Sequence, residues 1–306
     1  MNTIQFAAID IGSNAIRLLI KGINPGSSDE EFQKTLMVRV PLRLGQESFV
    51  SGKISDAKAK QLTRLMKAFK HLMKVYDVVD YRICATSAMR DAKNSKELIK
   101  EIRKQTDIKI EIIDGQEEAN VIYESHFADR LNSNLNYIYV DVGGGSTEIS
   151  LLVNGELVQS NSYNIGTVRL LNDKFDASEY DRMHRDLAEL KEAYRVNDII
   201  GSGGNIIKLH ALADVNRNQK LSLIKLEALY ETLRQHTVDE LMVKYKLKAD
   251  RADVITHAAS IYIDVAKSIG AKSYVVPTIG LADGIIHILY SKWKAQQEVT
   301  NNAIWL

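Results

Sequence analysis

Two distant stretches of the chain share one pattern of apolar and polar positions. In residues 6–20 an apolar run ends near Asp10, a short turn with Gly12 follows, and a second apolar run begins. Residues 137–153 repeat the pattern around Asp141 and a turn of three glycines. Apolar, β-branched runs on both sides of a glycine-containing turn predict a strand, a tight turn and a returning strand. The chain therefore carries two similar hairpins.

The segments that follow the two hairpins also correspond. In the first half, residues 55–76 place apolar side chains at intervals of three and four, which predicts an amphipathic helix. In the second half, Asn154-Gly155 predicts a hairpin turn that leads into a third strand. The other predicted elements are strands at 34–43, 81–85, 108–113, 156–163, 198–200 and 273–276, and helical segments at 95–104, 116–131, within 167–194, after Gly204, within 226–269 and at 281–296.

This order of elements predicts the fold class. Three strands followed by alternating helices and strands, in both halves, indicate an α/β chain of two duplicated domains with a cleft between them. We expect an N-terminal domain at residues 1–131, joined by the C-terminal helix at 281–306. The C-terminal domain is expected at residues 132–280.

Composition narrows the class of protein. Of the 306 residues, 45% are hydrophobic and 26% are charged, which is typical of a packed globular chain. The 40 basic and 39 acidic residues give a net charge of +1, so no strong overall field favours nucleic acid or a membrane as a partner. Cys84 is the single cysteine, which excludes an intramolecular disulfide. The sequence shows no signal peptide and no long apolar segment, and we expect a cytoplasmic protein.

The two glycine turns are candidate phosphate sites. A run of small residues exposes main-chain N–H groups and lets a ligand approach the backbone. A carboxylate beside such a turn repels bare phosphate, but it can hold a magnesium ion that bridges to the phosphate. Asp10 and Asp141 occupy this position, and Glu148 lies on the strand returning from the second turn. An ordinary tight turn explains Asp10 alone equally well, but two matched hairpins favour the phosphate interpretation.

Two further segments contain groups suited to phosphate. Gly201-Ser202-Gly203-Gly204 precedes a predicted helix, and helix N-termini attract anions. Thr86, Ser87 and Arg90 follow a predicted strand and offer two hydroxyl groups and a guanidinium. Taken alone, a capped helix start with a solvent-facing arginine explains the second segment more simply.

Glu117 and Glu118 begin another predicted helix. Acidic side chains in a first helical turn are favoured by the helix dipole, which is a purely structural explanation. The functional alternative is a general base that activates water. Sequence periodicity does not choose between these explanations, nor between the two glutamates.

Four segments, in this order and at this spacing, resemble those of the Ppx/GppA phosphatase family. They are Ala8-Ile9-Asp10-Ile11-Gly12-Ser13-Asn14 with Arg17-Leu18, Ala85-Thr86-Ser87-Ala88-Met89-Arg90-Asp91-Ala92, Gly115-Gln116-Glu117-Glu118-Ala119 and Asp141-Val142-Gly143-Gly144-Gly145-Ser146-Thr147-Glu148. The resemblance continues at 164–170, 201–204 and 280–285 and so covers nearly the whole chain. The family belongs to the superfamily of actin, sugar kinases and heat-shock proteins. It therefore implies two duplicated actin-like, or ribonuclease H-like, domains, in agreement with the repeat.

The resemblance also implies an activity. Members release the terminal phosphate of inorganic polyphosphate, or the 5′ γ-phosphate of guanosine pentaphosphate, with magnesium, and potassium is a further candidate ion. Glu118 corresponds to the catalytic base, and Asp141 and Glu148 correspond to residues associated with the metal, with Asp10 as a further candidate ligand. The candidate phosphate-binding residues are Gly12, Ser13, Asn14, Arg17, Thr86, Ser87, Arg90, Gly143, Gly144, Gly145, Ser146, Gly203 and Gly204. The resemblance also favours a homodimer.

The chain departs from the family pattern in two respects. Many members continue into a C-terminal helical region, so this chain resembles the short, two-domain members, and we expect lower processivity on long polyphosphate. Relatives commonly have Thr where this chain has Ser202, and the retained hydroxyl predicts little consequence.

Two other functions are alternatives to phosphohydrolysis. A kinase or ATPase of the same fold would bind adenosine near Gly201–Gly204. A sensor would bind guanosine tetra- or pentaphosphate without releasing phosphate.

Overall fold

Two structural units account for the described part of the chain. The structure is a computed structural model, and it describes residues 3–25, 31–125, 135–216 and 218–303. The first unit contains the described residues of Met1–Leu44, Gly52–Phe127 and Gly280–Leu306, and the second contains those of Gly45–Ser51 and Ala128–Ile279. The last helix therefore belongs to the first unit, although it follows the second unit in the sequence.

The first unit is built on a mixed five-stranded sheet. Its order is β3-β2-β1-β4-β5, with β1, β2 and β3 antiparallel and with β4 and β5 continuing parallel to β1. Six of the eight residues in each of β1 and β2 are buried, which explains their largely apolar sequences. The strands are β1 (Ile4–Ile11), β2 (Ile16–Ile23), β3 (Gln33–Val40), β4 (Val78–Ala85) and β5 (Glu111–Ile112).

Five helices accompany these strands among the described residues of the first half. The helices up to the end of the first half are α1 (Leu44–Ser51), most of which is counted with the second unit, α2 (Asp56–Val75), α3 (Ser87–Asp91), α4 (Ser95–Thr106) and α5 (Gly115–Tyr123). Ser55 caps α2 by accepting a hydrogen bond from Lys58 N, which confirms the predicted start of this helix. The helix predicted at 116–131 is observed as α5, but it ends at Tyr123, where a turn follows. Residues 126–134 lie outside the described residues.

The second unit contains a mixed six-stranded sheet. Its order is β10-β11-β9-β6-β7-β8. The strands are β6 (Asn136–Val142), β7 (Thr147–Val153), β8 (Glu156–Tyr163), β9 (Val196–Ser202), β10 (Leu221–Ser222) and β11 (Ser273–Val275). Asn154 and Gly155 both have positive φ, at 53° and 84°, as the predicted β7–β8 turn requires.

Helix α12 forms the centre of the second hydrophobic core. Nine of its fifteen residues are buried, and Tyr262 is fully enclosed among them. The remaining helices are α6 (Thr167–Leu171), α7 (Ala177–Ala193), α8 (Gly203–Leu212), α9 (Leu223–Leu233), α10 (Val238–Lys244), α11 (Ala249–Ala252), α12 (Ile255–Ile269) and, in the first unit, α13 (Leu281–Ala303). The helical pattern predicted within 226–269 is thus divided among four helices.

The two sheets have the same topology. In each, a central strand (β1 or β6) pairs antiparallel with its hairpin partner on one side and parallel with a later strand (β4 or β9) on the other. The second sheet differs by the extra edge strand β10, which pairs antiparallel with β11. The predicted α/β fold class, with a duplicated arrangement of strands, is confirmed.

Among the described residues, no helix combines the length and the apolar character that a membrane crossing demands.

Candidate functional site

Asp141 and Glu148 lie side by side in the second unit. They are direct cross-strand partners in the β6–β7 hairpin, so their side chains share one face of the sheet. Ser202 pairs with Asp141 from β9, and Ser162 pairs with Glu148 from β8. The hydroxyl of Ser202 shares its hydrogen between Asp141 Oδ2 and the carbonyl of Ile279, both at 3.1 Å. The hydroxyl of Ser162 donates to Glu148 Oε1 at 2.9 Å. The strand order thus places two carboxylates between two serine hydroxyls.

This carboxylate pair fits a magnesium ion. Among the described residues, no three His, Cys, Asp or Glu side chains form a group that could hold a metal ion alone. Magnesium does not need one, because it is usually bound by one or two carboxylates, with water and substrate phosphate completing the shell. Asp141 and Glu148 supply this number of hard oxygen ligands.

Gly203 leaves room for the Asp141 carboxylate. Its φ is +90°, and a Cβ atom built on it would lie 2.6 Å from Asp141 Oδ1. A side chain at this position would therefore displace the carboxylate. Gly203 and Gly204 form the first turn of α8, so the helix predicted to open after Gly204 begins one residue before it. This difference arises because the backbone of Gly203 turns directly from β9 into the helix.

The first unit has a different pair at the equivalent place. Arg17 lies opposite Asp10 in the β1–β2 hairpin, and its Nη1 atom donates to Asp10 Oδ2 at 2.8 Å. Burial raises the pKa of Asp10, and the nearby Arg17 opposes that rise. The arginine that was expected to bind phosphate is therefore engaged with the carboxylate that was considered as a further metal ligand.

The structure brings the Asp10 turn and the segment after β4 together. The hydroxyl groups of Ser13 and Ser87 lie 2.9 Å apart and are buried. Thr86 N donates to the carbonyl of Ile11 at 3.2 Å, which joins the ends of β1 and β4. The carbonyl of Asn14 accepts from Arg43 N at 2.9 Å. Two segments that are far apart in the sequence thus form one cluster of hydroxyl and main-chain groups.

Arg90 and the two glutamates lie around the start of α5. Arg90 Nη1 donates to the carbonyl of Ile113 at 2.9 Å, in the segment that leads from β5 to α5. Glu117 is 44% exposed, and its Oε1 atom accepts from Arg82 at 2.5 Å. The Oε2 atom of Glu118, in contrast, is buried. The two glutamates that sequence periodicity left equivalent therefore occupy different surroundings.

Tyr262 is a supporting residue that sequence reasoning did not find. Its hydroxyl accepts from Val142 N at 3.2 Å and donates to the carbonyl of Ser202 at 2.6 Å, so it joins the ends of β6 and β9. Burial, with the Asp141 carboxylate as a smaller contribution, raises the pKa of Tyr262 and keeps this hydroxyl protonated. Because Tyr262 lies in an apolar helix far along the chain, no local pattern indicates its role. Ser162 was missed because its contact with Glu148 depends on the register between β7 and β8.

The family is established by a match that covers most of the chain. The model of the Ppx/GppA phosphatase family matches residues 24–292. The chain belongs to the Ppx/GppA phosphatase family. This confirms the resemblance found in the sequence motifs.

Curated relatives are longer than this chain. A guanosine-5′-triphosphate,3′-diphosphate pyrophosphatase from Aeromonas hydrophila is 26% identical over 300 residues, which are 94% of this chain and 59% of that protein. Exopolyphosphatase 1 from Mycobacterium tuberculosis is 27% identical over 169 residues, which are 55% of this chain and 48% of that protein. The chain thus spans less than two thirds of the length of either relative.

Solved structures support the fold over nearly the whole chain. An exopolyphosphatase from Cytophaga hutchinsonii has a TM-score of 0.82 at 22% identity, with 94% of this chain and 98% of that chain covered. The Ppx/GppA family member from Aquifex aeolicus has a TM-score of 0.76 at 24% identity, with 95% and 99% covered. At these identities the likeness concerns the fold.

Proposed function

We propose that this protein is a magnesium-dependent phosphohydrolase that releases the terminal phosphate from a phosphoanhydride chain. The proposed substrates are inorganic polyphosphate and guanosine pentaphosphate. Similarity to known proteins supports these substrates, since relatives of this chain include an exopolyphosphatase and a guanosine-5′-triphosphate,3′-diphosphate pyrophosphatase. Both substrates end in a phosphate joined through a phosphoanhydride bond.

The observation that carries the proposal is the pairing of Asp141 and Glu148 beside a glycine turn. In this proposal the two carboxylates hold magnesium, which when bound neutralises negative charge on the phosphate oxygens. The main-chain N–H groups of Gly144, Gly145 and Ser146 bind oxygens of the terminal phosphate, whereas that of Gly143 is already bonded to the carbonyl of Ser146 at 2.9 Å. Ser202 and Ser162 keep the carboxylates in place through their hydrogen bonds.

Glu118 is proposed as the general base. It accepts a proton from a water molecule as the water oxygen attacks the terminal phosphorus atom. The phosphorus–oxygen bond to the shortened chain breaks, and that oxygen leaves as a phosphate oxygen. Positioning and electrostatic stabilisation supply most of the catalysis in reactions of this kind.

Ser13 and Ser87 are proposed as further phosphate-binding groups. Their hydroxyls lie 2.9 Å apart, so one of them donates to the other and the second retains a donor for a ligand. Arg90 is assigned to phosphate binding through its remaining N–H groups, since Nη1 is held by the carbonyl of Ile113. Arg17 is assigned to holding Asp10 rather than to primary phosphate binding.

The test compares two adjacent glutamates. Phosphate release is measured for the wild type, Glu118→Gln and Glu117→Gln, with magnesium and with EDTA, on short polyphosphate, long polyphosphate, guanosine pentaphosphate and ATP. Glu118→Gln removes the proposed base without changing side-chain size, and we expect a loss of about 100-fold or more. Glu117→Gln loses an ion pair with Arg82 but no proposed catalytic group, so it serves as the matched control.

The substrates separate the competing functions. Release from polyphosphate or guanosine pentaphosphate that requires both magnesium and Glu118 supports the proposal. Release from ATP alone would favour an ATPase. Tight binding of guanosine pentaphosphate by the folded wild type without release would favour a sensor, and equal activity of the two glutamine variants would overturn the role of Glu118.

A further inference from the structure

The three glycine carbonyls of the Gly143–Ser146 turn all bind one short segment. The segment is Gly166–Arg169, at the start of α6. Thr167 N donates to the carbonyl of Gly143 at 3.0 Å, and Val168 N donates to the carbonyl of Gly144 at 2.8 Å. The third carbonyl, of Gly145, accepts from Arg169 Nε at 2.6 Å.

These bonds determine where the N–H groups of the turn point. A trans peptide is planar, and its N–H lies opposite its C=O. The described residues contain no cis peptide bond. Because the carbonyls of Gly143, Gly144 and Gly145 point toward α6, the N–H groups of the next residues, Gly144, Gly145 and Ser146, point away from it. Successive N–H groups that share a direction form an anion-binding nest.

Gly166 allows this close approach of two main chains. A Cβ atom built on Gly166 would lie 2.4 Å from the carbonyl carbon of Gly145 and 2.5 Å from the carbonyl oxygen of Gly144. These neighbours are backbone atoms, so no side-chain movement can relieve the clash. Gly166 therefore lets the first turn of α6 reach the carbonyls.

Arg169 differs from the other donors because it acts through a charged side chain. Its guanidinium stacks over the ring of Phe49 at 4.1 Å, and both residues belong to the second unit. A hydrogen bond from a charged donor is stronger than a neutral one and polarises the acceptor peptide. The N–H of that same peptide belongs to Ser146, so it becomes a better donor.

We propose that Arg169 is a positioning residue of the phosphate site, which orients and polarises the Gly145–Ser146 peptide so that Ser146 N–H binds a phosphate oxygen. The inference rests on the proposed function, because it assumes that the turn binds phosphate. It assigns to Arg169 no contact with the substrate. Its effect reaches the ligand through the main chain, and it is strongest at Ser146 and weakest at Gly144.

The test uses amide resonances of the turn during titration with inorganic phosphate. Backbone NMR spectra of the deuterated full chain are collected for the wild type, Arg169→Met and Arg169→Lys. In the wild type we expect phosphate to shift the amides of Gly144, Gly145 and Ser146. In Arg169→Met we expect affinity for phosphate about tenfold weaker, with the largest loss of response at Ser146. Arg169→Lys should recover part of the response, since it retains the charge.

Arg234→Met is the matched control. Arg234 also stacks on an aromatic ring, that of Tyr230 at 5.6 Å, and it lies in the same unit without a bond to the turn. We expect its titration to match the wild type. Thermal unfolding of every variant identifies a general loss of structure.

The outcomes separate this inference from the proposed function. If the wild-type amides do not respond to phosphate, the proposed phosphate site fails. If they respond and Arg169→Met responds equally at Ser146, the positioning role is overturned while the site stands. If phosphate instead shifts the side-chain Nε resonance of Arg169 in the wild type, and the Ser146 amide responds neither in the wild type nor in Arg169→Met, Arg169 contacts the ligand directly and the inference is wrong. Kinetics add a further criterion, since a positioning role lowers kcat as well as raising KM.

Discussion

Arg17 stands opposite Asp10 at the place where Glu148 stands opposite Asp141 in the other sheet. Both pairs join the last residues of a central strand to the returning strand of its hairpin. The first is an ion pair at 2.8 Å, whereas the second brings two negative charges together. A duplicated fold thus carries opposite charge arrangements at equivalent positions, and only the acidic pair provides two ligands for a cation.

This difference predicts that the two aspartates respond unequally to magnesium. Asp141→Asn removes a proposed ligand, so we expect the magnesium concentration for half-maximal phosphate release to rise by at least about tenfold. Asp10→Asn leaves the magnesium dependence unchanged, because Asp10 is neutralised by Arg17 rather than by a metal. Magnesium titrations of phosphate release, with both variants in parallel, measure the two effects. An equal rise in both would place magnesium at Asp10 as well.

The hairpins illustrate what the sequence alone can predict. Residues 156–163 were predicted as a strand and match β8, since a two-residue Asn154-Gly155 turn determines the register of its neighbours. The predicted strand at 108–113 is only the two residues of β5. An apolar run such as Ile108–Ile113 indicates burial but does not say how many residues find a hydrogen-bonding partner strand. Short elements such as α3 and β10 carry too few residues for a period to be visible.

The candidate site was predictable in its parts but not in its contacts. Asp141 and Glu148 are candidates from the sequence because both lie close to one glycine turn. The ion pair between Arg17 and Asp10 depends on the register of the β1–β2 hairpin. The pattern of apolar residues does not exclude a register shifted by one residue. Arg169 was missed because its bond to Gly145 depends on how α6 packs. Gly166, next to a predicted helix, was the available sign of a close approach.

Gly203→Ala is predicted to disturb the metal site. An alanine at φ +90° is strained by about 1–2 kcal/mol, and its Cβ would press on Asp141 Oδ1 at 2.6 Å. We expect a higher magnesium concentration for half-maximal phosphate release, a lower rate of release and a lower free energy of unfolding. Gly270→Ala is the matched control, since its φ is +81° but its Cβ meets only the end of the flexible Lys191 side chain, at 3.4 Å. If both variants lose stability and activity equally, backbone strain alone explains the effect and the contact with Asp141 does not matter.

The burial of His257 predicts that the folded protein becomes less stable as the pH falls. The side chain is half-buried on α12, and burial lowers its pKa, with Asp253 and Asp173 opposing that effect. As the pH falls below about 7, the unfolded chain binds a proton at this histidine before the folded chain does. The free energy of unfolding therefore decreases on acidification through the ordinary histidine pKa.

Urea unfolding between pH 5 and pH 8 tests this. We expect His257→Gln to remove part of the decrease seen in the wild type. His71→Gln removes an exposed imidazole from α2 and is the control. If the two variants give parallel profiles of unfolding free energy against pH, burial of His257 does not contribute.

The close packing at Gly284 predicts that the position of Glu118 depends on the last helix, α13. A Cβ atom built on Gly284 of α13 would lie 1.7 Å from the carbonyl oxygen of Val121 in α5, the helix that carries Glu118. Gly284→Ala must move these two helices apart, and overpacking of this kind costs about 1–3 kcal/mol or more. We therefore expect a lower melting temperature and, because α5 shifts, a decrease in kcat for phosphate release that exceeds any change in KM. Gly280→Ala is the control in the same segment, since its Cβ would meet no atom within 4 Å. A Gly284→Ala protein with lower stability but unchanged kcat in its folded state would mean that α13 stabilises the first unit without positioning Glu118.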